Sequence, residues 1–171
     1  PWNTAFDPGG SSGGAAIAAA LGIGPLHMGT DGAGSVRIPA SFCGLFGLKT
    51  SRGRVPAYPP SPMGPLAILG QLTRSVRDGA LLASLMSRPD PRDPTAMHDS
   101  WCDGTAGLDA GVRGLRIAWS PRLGYIDRVD AEVEQAAAAA AQVFATLGAT
   151  VEAADPGIAD PLPVTLPIWQ A

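Results

Sequence analysis

The sequence predicts an α/β fold, on three observations. A strand pattern (LRIAW, residues 115–119), a helical pattern (AEVEQAAAAAAQVFATL, from Ala131) and a second strand pattern (TVE, residues 150–152) follow one another, which is the order of a parallel α/β unit. Earlier, an alanine-rich helical run, AAIAAALG, precedes a short apolar stretch, residues 23–28, compatible with a buried strand. Finally, 171 residues with 46 % hydrophobic and 16 % charged side chains suffice for one domain with a proper core, and two domains are not expected.

The elements can be justified in order. PGGSSGGAA, residues 8–16, leads into the alanine run of residues 15–22, whose high helix propensity and closing Gly22 predict a helix starting at Ser12 or just after it. The apolar stretch 23–28 then delivers the chain to a second glycine motif, GTDGAGSVRIP at residues 29–39, which is therefore placed at a strand's end. Residues 52–70 hold five prolines and read as a long surface loop. SVRDGALLASLM, residues 75–86, sets Val76, Ala80, Leu81, Ala83 and Leu85 near helical spacing behind a Ser75 N-cap, predicting a half-buried helix. After a polar connector, residues 87–111, and the strand at 115–119, Asp130 caps a helix with Val133, Ala137, Ala140, Phe144 and Leu147 on one face and Gly148 at its end. Residues 153–171, with four prolines, read as irregular chain, and there are no internal repeats.

Composition excludes several functions. The net charge is −3 and the basic residues are scattered, so the electrostatic footprint of a nucleic-acid binder is missing. Cys43 and Cys102 are too few for a secreted disulfide framework, which points to a reducing, cytoplasmic setting. No apolar run approaches the roughly 20 residues that span a bilayer, and no charged n-region precedes an apolar h-region in its first residues. The sequence begins Pro-Trp-Asn-Thr, directly ahead of its most glycine-dense motif, and an internal fragment of a longer protein is expected.

Glycine-rich loops suggest phosphate first, but Gly32-x-Gly34 would need a third glycine where Arg37 stands, and Lys49-Thr50 lacks the spacing of a Walker loop. A nucleophile elbow fits the letters around Ser11 and Ser12, since Gly9-Gly10-Ser11-Ser12-Gly13 satisfies G-x-S-x-G. It requires a hydrophobic strand running into the serine, whereas PWNTAFDP is turn-like and His98 lies in a polar connector. A metal is not expected: His27, His98, Cys43 and Cys102 show no paired ligand spacing, and His27 reads as a core histidine.

What remains is a serine hydrolase without histidine. Serine is a poor nucleophile at its free pKa, but a desolvated neutral lysine can accept its proton, with a second serine hydroxyl passing the proton along. Two serines on separate glycine loops suit that chemistry, and consecutive N–H groups along Asp31-Gly32-Ala33-Gly34-Ser35 could bind the oxyanion of a tetrahedral intermediate.

In these blocks, GGSSGGAAIAAA and GTDGAGSVRIPASFCGLFGLK, the sequence closely resembles the amidase signature family, and the resemblance continues through TRSVRDGA and GVRGLRIAWSP. It implies an α/β fold with a mixed sheet between helices, residues 1–171 forming a single incomplete domain. It also implies roles: Ser35 as nucleophile, Ser11 as a proton relay that follows a cis peptide, and the N–H groups of Gly32, Ala33, Gly34 and Ser35 as oxyanion hole. Ala33 departs from the family's usual Gly-Gly-Ser; it supplies the same N–H, but its methyl disfavours positive φ. Ile38 after Arg37, where tRNA-dependent amidotransferase subunits usually carry Gln, argues mildly against that branch.

Three residues support these roles. Asp31 and Arg37 flank Ser35 and are expected to pair and hold the loop in shape, against the alternative of a solvated ion pair. Ser12 is at least as well explained by helix N-capping as by catalysis, and Cys43 by packing. Lys49 is the chain's single lysine, so a purely local reading makes it the base, whereas the resemblance puts the base well upstream of Ser11. The chain alone is thus expected to lack the base and be inactive, and the parent protein to hydrolyse linear carboxamides through an acyl-enzyme on Ser35. The alternatives are a non-catalytic amidase-like binding protein and a Ser-His-Asp hydrolase using Ser11 or Ser12. The expected partner is a small-molecule amide, with no cofactor, nucleic acid or membrane; homo-oligomerisation stays open. The proline-rich loop 52–70 is a candidate wall of the substrate pocket.

Overall fold

A computed structural model of the chain describes residues 2–99 and 103–170; Cys102 lies outside them. The chain divides into two compact units, residues 1–109 and 110–171. The first contains α1 (Gly13–Ala20), β1 (Leu26–Asp31), α2 (Arg37–Cys43), β2 (Phe46–Lys49), β3 (Ile68–Thr73) and α3 (Val76–Met86). Its three strands form an antiparallel sheet in the order β1-β3-β2, with Gly29 opposite Gly70 and Gly47 opposite Leu72.

Three glycines let α2 lie close on one face of this sheet. A Cβ added to Gly29 or Gly70 would come within 3.1 or 3.3 Å of Val36 Cγ2, and one on Gly47 within 2.5 Å of the Ala40 Cβ. Val36 is fully buried and forms the core cluster with Ala16, Ala40 and Leu72, with Cys43 packed beside it as expected. Such close packing gains dispersion that a looser fit forfeits. Gly44, at φ +66, ends α2 in the left-handed conformation.

The second glycine motif does stand at a strand's end, but β1 runs three residues further than expected and takes in Gly29, Thr30 and Asp31. The loop expected over 52–70 ends earlier: residues 64–66 form a short 3₁₀ turn and residues 68–70 open β3, the central strand. ILGQLT looks irregular as sequence because a strand covered on both faces shows no alternation; five of its six residues are buried.

The α3 helix starts at the expected N-cap, with Ser75 Oγ accepting from the Asp78 N–H at 3.1 Å. Ala83 is buried as expected, but the helix's other buried residues are Gly79 and Leu82, while Val76, Leu81 and Leu85 are exposed. The inward face is set by Gly79, where any side chain would run into the Phe46 ring, and by the Gln71 Nε2, which donates to the Gly79 carbonyl at 2.8 Å.

The second unit is the strand-helix-strand arrangement expected: β4 (Arg116–Trp119), α4 (Ala131–Thr146) and β5 (Thr150–Ala153), with β4 and β5 paired in parallel, Ile117 opposite Val151. Asp130 caps α4, its Oδ1 accepting from the N–H of Glu132 and of Val133. No residue of α4 is buried, since a two-stranded sheet covers little of a four-turn helix. The tail is not wholly irregular, because Leu162–Gln170 forms α5 despite Pro167. The α/β character thus holds, with antiparallel and parallel strands in separate sheets.

Candidate active site

Both glycine motifs belong to the first unit and meet at one backbone hydrogen bond, from Ser12 N–H to the Ser35 carbonyl at 3.2 Å. The Gly10–Ser11 peptide is cis, the form the resemblance implied for this bond. Ser11 is exposed, and Ser12 is partly buried. Ser12 occupies the N-cap position of α1 yet makes no side-chain cap hydrogen bond. Its hydroxyl turns to β1 instead, in a long 3.5 Å contact with the Thr30 carbonyl, over a Gly29 where any Cβ would collide with it. The N-capping expected of Ser12 is therefore not made: the missing side chain at Gly29 opens the space, and the edge strand offers an acceptor.

Asp31 staples the second loop. Its carboxylate is fully buried and accepts from the Gly34, Val36 and Arg37 N–H groups at 2.7, 3.2 and 3.3 Å. The Arg37 guanidinium adds two bonds, Nε at 3.0 Å and Nη2 at 2.9 Å. Burial by itself would raise the Asp31 pKa, but the Arg37 side chain and the three N–H groups outweigh it and hold the carboxyl far below the ordinary range. Asp31 in turn raises the Arg37 pKa. The pair is thus a bidentate bridge with one buried partner, and the solvated ion pair is set aside.

This staple bears on the N–H groups picked out from the sequence. The Gly34 N–H is committed to Asp31, whereas those of Gly32, Ala33 and Ser35 have no acceptor among the described residues. Positive φ falls on Gly34, at +113, and not on Ala33, so the methyl of Ala33 meets no backbone conflict. Ser35 is partly buried and lies between Gly34, held by Asp31, and Val36, buried in the core.

Other candidates lie apart. Lys49 Nζ donates to the Thr50 carbonyl at 2.8 Å, and among the described residues no hydrogen bond joins it to Ser11 or Ser35. His27 contacts the Gly24 carbonyl at 3.2 Å in a local turn and is not a buried core residue; His98 is exposed. Neither is hydrogen-bonded to a serine among the described residues, and no strand precedes Ser11 among them, so the elbow reading has neither its base nor its scaffold. No group of three or more His, Cys, Asp or Glu side chains that could hold a metal occurs among the described residues.

Ser11 and Ser12 border a shallow depression of about 510 Å³, with Gly14, Met28, Thr30 and Leu69 among its walls. The proline-rich loop folds mainly onto residues 92–99, through Ala57 N–H to Asp93 and Met97 N–H to the Gly53 carbonyl. Between them is a second cavity of about 250 Å³, to which Leu69 also contributes.

A sheet stapled by small residues under two serine-bearing glycine loops defines a class. The family model described as Amidase matches residues 1–168, and the chain belongs to that family, the amidase signature enzymes. It is 41 % identical over 162 residues to an acylamidase of Rhodococcus erythropolis, covering 94 % of this chain and 34 % of that protein. It is 43 % identical to a glutamyl-tRNA(Gln) amidotransferase subunit of Rubrobacter xylanophilus, covering 88 % of this chain and 32 % of that one. Among solved structures, a bacterial aryl acylamidase superposes with a TM-score of 0.86 at 40 % identity, over 98 % of this chain and 34 % of the other. A 6-aminohexanoate cyclic dimer hydrolase, complexed with substrate, gives 0.80 at 35 %, over 90 % and 33 %. The chain spans about a third of the length of the relatives it matches.

Proposed function

We propose that the whole protein is an amidase that hydrolyses linear carboxamides through an acyl-enzyme on Ser35. The observation that carries the reading is the Ser12 to Ser35 backbone hydrogen bond. It joins the two serine loops beside N–H groups that have no acceptor among the described residues. The Ser35 hydroxyl attacks the amide carbonyl, and the oxygen that gains charge is met by the N–H groups of Gly32, Ala33 and Ser35, with Asp31 holding the Gly34 N–H behind them. Ser11 takes the Ser35 proton as it passes its own to the base, and the reverse transfer through Ser11 protonates the leaving amine; water then attacks the acyl-enzyme and releases the acid.

The base completing the relay is assigned elsewhere in the protein than Lys49, whose Nζ donates to the Thr50 carbonyl and has no hydrogen bond to Ser11 or Ser35 among the described residues. Residues 1–171 are accordingly part of one larger amidase domain and carry nucleophile, relay and oxyanion hole. An acylamide substrate is in keeping with the aryl acylamidase, which resembles this chain more than the cyclic dimer hydrolase does, in both identity and superposition. The working compartment is the cytoplasm, in keeping with a chain of only two cysteines; no helix among the described residues is long and apolar enough to cross a membrane.

Labelling the full-length protein with a fluorophosphonate and mapping the adduct tests the assignment. Modification is expected at Ser35. An adduct at Ser11, or an active enzyme with none, contradicts it.

A further inference from the structure

Ile38 is the second residue of α2, and with 42 % of its surface exposed it is not a core residue. Its two side-chain arms nevertheless reach both serine loops. A Cβ built on Gly34 would lie 2.7 Å from Ile38 Cδ1 and 3.0 Å from Cγ1, and one built on Gly9 would lie 3.0 Å from Ile38 Cγ2. Both glycines have positive φ, +113 and +78, and one stands directly before Ser35, the other two residues before Ser11. The Ile38 N–H also donates to the Gly34 carbonyl at 2.7 Å. Gly34 is thus held by Asp31 at its N–H, and by Ile38 at its carbonyl and across its Cα.

The geometry points to Ile38 as a positioning residue, a two-armed strut that keeps the loop of Ser11 and the loop of Ser35 at a fixed separation. A β-branched side chain suits this role, since both arms leave one Cβ and χ1 is stiff, so movement of either loop is resisted by the other. Leucine has the same volume but branches one atom later and cannot present arms to both glycines from Cβ. Valine keeps the Cγ2 arm and half of the other. With part of its surface left in water, the side chain contributes less to folding stability than a core residue does, and its effect is expected chiefly in turnover.

The inference rests on the proposed roles of Ser11 and Ser35, and the test separates the two. In the full-length enzyme, Ile38→Leu and Ile38→Ala are expected to lower kcat about 10- to 100-fold with KM within about twofold. Fluorophosphonate labelling at Ser35 should slow by a similar factor, while the melting temperature barely moves and Ile38→Val restores most of both rates. Wild-type kcat and labelling rate in Ile38→Leu overturn the strut, as does a loss that merely tracks the fraction of folded protein. An active wild-type enzyme that is unlabelled at Ser35 overturns the nucleophile assignment and the strut with it.

Discussion

Asp31 and Arg37 show how much of the loop's shape is local electrostatics. Three N–H groups and a guanidinium converge on one carboxylate with no access to water, and charge-assisted bonds of this kind are about twice as strong as neutral ones. Asp31→Asn is expected to destabilise the protein by about 2–3 kcal/mol, below the ~3–5 kcal/mol of a fully buried pair because Arg37 can return to water. The sign with pH follows from the lowered folded-state pKa: the contribution is complete above the ordinary value of 3.8 and is lost as pH falls below it. Urea unfolding of wild type and Asp31→Asn should therefore give a constant stability difference from about pH 8 to about 5 that narrows below about pH 4; a difference that grows in acid would contradict the staple. The pairing could be read from the sequence because both partners flank Ser35 within a single short motif. That the carboxylate also claims the Gly34 N–H could not, since it depends on how the loop curls back.

At the scale of elements, α2 connects the Ser35 loop to the sheet. Val36 follows Ser35 and is buried against Gly29 and Gly70, so the serine's position is set by packing as well as by hydrogen bonds. Val36→Ala removes two methyls from a site with no room to collapse and is expected to cost roughly 2 kcal/mol, with kcat falling as well. Asp130→Ala at the head of α4 should cost about 1 kcal/mol through its lost cap and leave kcat unchanged. Unfolding curves and steady-state kinetics of the full-length variants check both, and equal effects on kcat would undo the distinction. The helices α3 and α4 and the parallel pair β4 and β5 were legible because caps, periodicity and strand-helix-strand order are local signals. The strand β3 and the helix α2 were not. ILGQLT is a central strand only because β1 and β2 flank it, and RIPASFC tolerates its proline because Pro39 lies in the first turn.

For the molecule as a whole, the proposal divides the chemistry between this chain and the rest of the protein. The 171-residue chain is expected to show no turnover of simple amides or anilides, since an unassisted serine attacks amides very slowly. Robust turnover that survives Lys49→Ala would sink the claim that the base lies elsewhere, and turnover abolished by Lys49→Ala would make Lys49 the base after all. The engagement of Lys49 Nζ at the Thr50 carbonyl argues for the first expectation.

By itself the sequence determined the family and singled out the residues to which the proposed chemistry is assigned. Residue type and spacing along a short motif carry that information directly: two glycine-walled serines, an aspartate and an arginine at fixed offsets. Tertiary structure alone decided which face of α3 turns inward and that Ser12 looks to β1 instead of capping its helix. It also decided that Ile38 touches both loops, and that three glycines from three strands make the seat for Val36. These outcomes depend on atoms distant in sequence competing for the same few ångströms, and van der Waals contact at that range has no signature in local pattern.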